Sequence, residues 1–302
     1  MPVSHILLAL IVVLIWGFNF IFVSLGLTEI SPLLLCALRF FLSSVPAIFF
    51  VKLPTRSSLH MVALYGLVMF ALQFGLLFLG MSFGMPAGVA SILIQVQVFF
   101  SMFFAVLLLG EKPNAGQMIG ALVAFLGIAI VALHFDQDIS LAGFLFILTA
   151  AATWGIGNLI TKQLKGDSNN MMVLIVWGSF IACIPMFMVS LLVEGIDNFS
   201  ATMLHLSWKG FGSLCYIVFA STWIGYGVWN WLMARYPVGM VAPFTLLVPV
   251  IAMISSVIFL GEPFQLWKLV VGLLVISGLC INILGSRFVA IRARKEVETF
   301  TS

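Results

Sequence analysis

The chain is 302 residues long, 63% hydrophobic by residue type and 8% charged, with a formal net charge of +3 and a mean hydropathy of +1.24. Soluble domains carry about 25% charged residues, so this is the composition of an integral membrane protein, and no nucleic-acid partner is expected. Charge-free runs such as 57–110 and 236–261 are continuously apolar rather than alternating in polarity. That pattern favours helices over the strands of a β-barrel.

A membrane-crossing helix needs roughly 20 apolar residues. Ten are expected, at 5–26, 33–51, 59–80, 86–109, 115–134, 141–162, 171–193, 208–234, 238–260 and 266–287. The first has no lysine or arginine before it and exceeds a signal-peptide core, so it reads as a retained helix. Met85-Pro86 divides the long run 57–110 into the third and fourth spans. Cytoplasmic segments retain basic residues. With the N-terminus inside, Lys52, Arg56, Lys112, Lys162, Lys165, Arg235, Arg287, Arg292, Arg294 and Lys295 all fall inside, and only Lys209 and Lys268 run against the pattern. The outer loops then hold Glu29, Asp136, Asp138, Glu194, Asp197 and Glu262, and both termini are expected in the cytoplasm. The basic stretch RFVAIRARK near the C-terminus reads as a topology determinant that can also touch anionic membrane lipid. Cys36, Cys183, Cys215 and Cys280 are scattered through the spans without ligand spacing. They read as packing residues, with no metal site and no cofactor expected.

Residues 85–133 align without a gap on 236–284 at an offset of 151. MPAG meets YPVG, LLLGE meets IFLGE, and Pro86, Gly88, Gly110, Glu111 and Gly127 fall on Pro237, Gly239, Gly261, Glu262 and Gly278. WGFN at Trp16 and WGIGN at Trp154 correspond at a different offset. The expected organisation is a five-helix repeat at 1–138, a second at 139–288 and a basic cytoplasmic tail at 289–302. Five is odd, so the second repeat enters the membrane from the opposite side. Inverted repeats are a recurrent plan of secondary transporters, with the substrate near mid-membrane between the halves.

These residues carry a resemblance. WGFNF, ALRF, GMPAGVASILIQVQVFF, YGVWNWLMARY, VAPFTLLVPV and the two LGE turns are similar to the EamA family of the drug/metabolite transporter superfamily, over nearly the whole chain. The resemblance implies an all-α integral membrane fold of ten transmembrane helices in two inverted repeats. It implies a bacterial inner-membrane exporter of small amino-acid metabolites, such as cysteine or O-acetylserine, with the proton as the candidate coupling ion. One scaffold serves many substrates in this superfamily, so exporters of aromatic amino acids or lipophilic drugs and amines stand as the alternative. The oligomeric state is left open.

Polar groups inside a bilayer face the bundle interior or a wet cavity. Gln95 and Gln97 in ILIQVQVFF lie about 200° apart on a helix, so they cannot face one cavity. Gln95, in line with Gly88 and Ser91, is expected to line the pathway. Gln97 is expected to hydrogen-bond a neighbouring helix. Trp16 with Asn19, and Trp154 with Asn158, read equally as facing cavity positions or as interhelical ties. Trp223, Tyr226 and Asn230 share a face of the eighth span, and Gln73 is a further candidate. Pro185, Pro243 and Pro249 free backbone carbonyls and mark kinks. Arg39 is the one charge well inside a span. It must snorkel, pair or meet an anionic ligand. Its structural reading is an anchor on Glu29, Glu262 or helix-end carbonyls; its functional reading is a two-point contact with a substrate carboxylate. Glu111 and Glu262 read as turn caps. No Walker A motif is present, which argues against direct ATP drive. No Asp-rich motif, HExxH or Ser-His pair is present either, so an embedded enzyme is not expected.

Overall fold

Helices form along the apolar runs, and proline or glycine marks several of their ends, as at Pro86, Gly110 and Gly261. The computed structural model describes residues 1–134, 139–164, 170–236 and 238–300. The side chains of Asn230 and of residues 286–300, the basic tail included, lie outside the described residues. Among the described residues no strand occurs. The segments are α1 Val3–Gly26, α2 Pro32–Ile48, α3 Arg56–Tyr65, α4 Gln73–Ser82, α5 Ala87–Leu93, α6 Gln97–Leu109, α7 Ala115–Ala132 and α8 Leu141–Gln163. They continue with α9 Met171–Val193, α10 Ile196–His205, α11 Trp208–Cys215, α12 Tyr226–Arg235, α13 Val238–Val241, α14 Val248–Leu260 and α15 Leu266–Phe300. Among the described residues, eight stretches are long and apolar enough to cross a membrane. Two shorter apolar helices, Pro32–Val45 and Leu266–Asn282, occupy the second and tenth expected segments.

Several spans are not α-helical throughout. The π-helical stretch Gly66–Leu72 joins α3 to α4, and Tyr216–Gly225 joins α11 to α12. The 3-10 turn Ile94–Val96 joins α5 to α6, and Ala242–Leu247, with Pro243 in it, joins α13 to α14. Pro249 sits in the first turn of α14, where a missing N–H is harmless. Pro185 lies inside α9.

The 151-residue correspondence reappears in the helix ends. Helices α6 and α14 begin at Gln97 and Val248 and end at Leu109 and Leu260. Each is closed by a left-handed glycine, Gly110 (φ 66°) and Gly261 (φ 67°), which avoids the strain a side chain would meet. Pairings match as well: α1 packs on α14 and α8 packs on α6, while α2 meets α9 and α7 meets α15. A Cβ at Gly17 would stand 2.5 Å from Ile251 Cγ2, and one at Gly155 would stand 2.8 Å from Phe100 Cβ. Ile251 and Phe100 are themselves 151 apart. Apolar side chains gain little by leaving lipid, so close backbone approach at small residues holds such helices together. Gly120 and Gly278 show the limit, since a Cβ on either would come within 2.5 Å of the other's carbonyl oxygen.

One end of the bundle is tied by carboxylates at helix N-termini, where unpaired N–H groups favour negative charge. Glu194 accepts from the Leu33 and Leu34 amides at 2.8 and 3.1 Å and from the Ser31 and Ser190 hydroxyls at 2.6 and 2.7 Å. It thereby joins the end of α9 to the start of α2. Glu262 accepts from the Ala87 amide at 2.7 Å, which fits its expected capping role. Glu29 accepts from the Ser207 hydroxyl and amide at 2.7 and 2.9 Å. The Ser207 hydroxyl bond, then its amide, then nearby Lys209 hold the Glu29 carboxyl below its ordinary value of 4.5.

Candidate functional site

The expected site residues fall into two groups, one tied up by protein partners and one not. Asn158 belongs to the first. Its amide donates to Gln97 Oε1 at 2.7 Å and to Ser101 Oγ at 2.9 Å, and Ser101 in turn donates to the Gln97 carbonyl at 2.7 Å. Gln97 therefore makes the interhelical bond expected of it, between α6 and α8. Gln95 is half-buried in the 3-10 turn and reaches across to the Thr245 carbonyl at 3.4 Å, in the matching turn of the other half. Ser91 is fully buried and donates to the Gly88 carbonyl at 2.6 Å. Trp154 and Trp223 are half-buried and pack on the main core.

Trp16 is fixed by an unusual backbone. A π-helix shifts the hydrogen-bond ladder by one residue. Within this stretch Trp16 Nε1 donates to the Ser221 carbonyl at 3.2 Å and the Thr222 hydroxyl to the Ile217 carbonyl at 3.0 Å. Gly225 makes room, because a Cβ there would lie 2.5 Å from Trp16 Nε1. The indole then stands beside Tyr226 and Trp229, with ring centroids 5.4 and 5.2 Å away.

The second group is buried without partners. Arg39, 1% exposed, has no hydrogen-bond partner for Nε or Nη1. Gln73, also 1% exposed, has none for Nε2, and Asn19, 7% exposed, has none for Oδ1. Of the carboxylates expected to anchor Arg39, Glu29 and Glu262 bond at helix N-termini instead, and among the described residues neither pairs with it. Its guanidinium instead lies over Phe74 (4.1 Å to the centroid) and beside Phe40 (5.5 Å), within electrostatic range of Tyr226. A buried cation–π contact supplies about 2 kcal/mol. Two unpaired donors on a charged group cost roughly 2–6 kcal/mol. The aromatic shell alone does not balance this arginine.

Tyr65 was not anticipated from the sequence. It is buried, edge-on to Phe70 (5.3 Å) and within electrostatic range of Tyr226. Its signal was a hydroxyl-bearing residue in an otherwise apolar run. Ser179, fully buried with an unpartnered hydroxyl, was missed as well. Arg39, Tyr65, Phe74, Tyr226 and Trp16 thus bring together α1, α2, the α3–α4 span and α12. A separate cleft of about 210 Å³ includes Ser101, Asn158, Gln117 and Asn282. Arg39 does not line it. Among the described residues no cluster of three His, Cys, Asp or Glu could hold a metal ion.

The chain is similar to known proteins along most of its length. The profile of the EamA-like transporter family matches residues 3–133 and 141–284. The chain is 38% identical over 284 residues to a probable amino-acid metabolite efflux pump of Salmonella typhimurium, covering 93% of this chain and 95% of that one. It is 37% identical over 290 residues to the protein of the same description in Escherichia coli, with the same coverage. A probable terminal-alkyne amino-acid exporter of Streptantibioticus cattleyicolor is 28% identical over 76% of this chain and 75% of its own. A solved crystal structure superposes with a TM-score of 0.60 over 95% of this chain and 99% of its own, at 15% identity, a likeness of fold alone.

Proposed function

The chain belongs to the EamA-like transporter family, and on that premise we propose that it exports small amino-acid metabolites, cysteine and O-acetylserine among them, across the bacterial inner membrane by alternating access. The observation that carries this reading is the 38% identity, along 93% of the chain, to a protein described as an amino-acid metabolite efflux pump. The chain is an exporter with ten spans, repeats at 1–138 and 139–288, a tail at 289–302 and both termini inside. The matching ends of α6 and α14, at one offset, support the repeat. Its inversion follows from the odd number of spans per half. Similar halves in opposite orientation can exchange conformations and so yield inward- and outward-open states of similar energy. In this orientation the Glu29, Glu194 and Glu262 ties lie on the outer side.

Trp16, Asn19, Arg39, Gln73 and Tyr226 contact cargo on this reading, with Ser91, Gln95, Trp154, Asn158, Trp223 and Asn230 along the route. A second reading, export of aromatic amino acids or lipophilic amines, draws on the aromatic faces of Trp16, Tyr226 and Trp229. Counterflow decides between them. Liposomes holding the purified protein are loaded with one unlabelled compound and given trace labelled cysteine or O-acetylserine outside. Accumulation with amino-acid cargo supports the first reading; accumulation only with aromatic or lipophilic cargo supports the second. An imposed pH gradient in the same vesicles tests proton coupling.

A further inference from the structure

Among the buried side-chain atoms without a hydrogen-bond partner are three donors, Arg39 Nε and Nη1 and Gln73 Nε2, and an acceptor, Asn19 Oδ1. They sit on neighbouring elements, since α1 packs on α4 and on the Tyr216–Gly225 stretch, and α2 packs on both. Phe74, which follows Gln73, is the ring beneath the guanidinium. Trp16, three residues before Asn19 and so on nearly the same helix face, stands against Tyr226. Tyr226 in turn lies in the electrostatic range of Arg39.

Buried polar groups in folded proteins find partners, and exceptions call for an explanation. Positive donors on one side and a neutral acceptor on the other are the complement of a zwitterion. We infer that Arg39 and Gln73 receive the carboxylate of an α-amino acid while Asn19 Oδ1 receives its ammonium, which makes this set the element that selects for an intact amino-acid backbone. The inference rests on the proposed export function and assigns the part of the cargo that is recognised. A guanidinium holds a carboxylate through two parallel bonds. An aromatic wall excludes water, so the pair is formed in a low dielectric where each bond gains strength. The side chain of the cargo makes none of these contacts, so compounds differing only there should share the site. Arg39 and Gln73 are each 1% exposed and Asn19 7%, so cargo reaches this set only when the bundle opens.

Competition in the counterflow assay tests this with the wild-type protein. Labelled cysteine is exchanged against unlabelled cysteine, cysteamine (no carboxylate), cysteine methyl ester (carboxylate blocked) or 3-mercaptopropionate (no ammonium). Cysteine should compete, and the other three about tenfold or more weakly. Equal competition by cysteamine or the ester overturns the assignment of Arg39 and Gln73, and equal competition by 3-mercaptopropionate overturns that of Asn19. In parallel, Arg39→Gln that elutes as folded protein should exchange cysteine about tenfold or more slowly, with Arg39→Lys recovering part of the rate. A folded Arg39→Gln protein exchanging at the wild-type rate overturns the inference while leaving the export function standing. If Arg39→Gln does not fold, the wild-type competition decides alone. If the wild type exchanges no amino acid, the export function falls and the inference with it.

Discussion

The similar stretches WGFN at 16–19 and WGIGN at 154–158 lie on α1 and α8, yet their asparagines live differently. Asn158 has both amide hydrogens engaged, on Gln97 and Ser101. Asn19 keeps a buried oxygen with no partner. The tryptophans and the glycines beside them correspond well, Gly17 against Ile251 and Gly155 against Phe100. The difference is one residue of spacing. Asn19 follows its tryptophan by three positions and Asn158 by four, a rotation of about 100°. That turn moves Asn158 onto the face of α8 that meets α6. The position three after Trp154 is Gly157, where an added Cβ would overlap the Met69 sulfur. Of two similar stretches, one thus carries a helix tie and the other a buried polar oxygen without a partner.

The largest effect comes from the glycines the two copies share. Gly155→Ala pushes a Cβ to 2.9 Å from backbone atoms of Phe100 and Ser101, whereas Gly17→Ala meets chiefly the Ile251 side chain. Each should cost about 3 kcal/mol, the upper range for overpacking, and lower the yield of folded protein on gel filtration. Ile251→Gly, which removes both close side-chain atoms, should partly rescue Gly17→Ala; Phe100→Gly, which leaves the backbone contacts at 2.9 Å, should not rescue Gly155→Ala. Rescue in both would show that backbone contact is not what separates them.

Next come the asparagines. Asn158→Ala removes both bonds and should lower stability by about 1–2 kcal/mol, seen as a lower melting temperature in detergent. Asn19→Leu removes an unpartnered acceptor and should leave stability within about 0.5 kcal/mol of the wild type while cutting counterflow. Equal thermal losses in both variants would erase the distinction drawn here. Gln95→Ala loses only one long bond and should barely shift the melting temperature, so an accompanying loss of transport would point to a pathway role.

The smallest effect concerns Glu29, which ties the loop after α1 to the start of α11. Its carboxyl is held below 4.5, so its contribution is present above that pH and is lost as pH falls through the lowered value. The melting-temperature difference between wild type and Glu29→Gln should therefore be seen at pH 7 and shrink below pH 4.5. A difference that stays constant with pH would mean the carboxylate charge is not what stabilises this tie.

Much of the architecture was legible in the sequence. Composition and unbroken apolar runs require helices in a bilayer, because only internally satisfied backbone survives there. Met85-Pro86 marked a real break between α4 and α5, and the LGE turns marked the left-handed ends of α6 and α14. Gln97 was read as an interhelical tie from its position opposite Gln95, and Glu262 as a cap from its place in a turn.

The tertiary structure decided the rest. Helical phase tells which residues share a face but not which helix that face meets. It could not say that Asn158 would be satisfied and Asn19 not, or that the loop carboxylates would bond at helix N-termini and leave Arg39 to Phe74 and Phe40. Nor could it place the π-helical stretch at Tyr216–Gly225, whose Ser221 carbonyl accepts from Trp16. Partner choice depends on distances between residues far apart in the chain, and those exist only once the helices have packed.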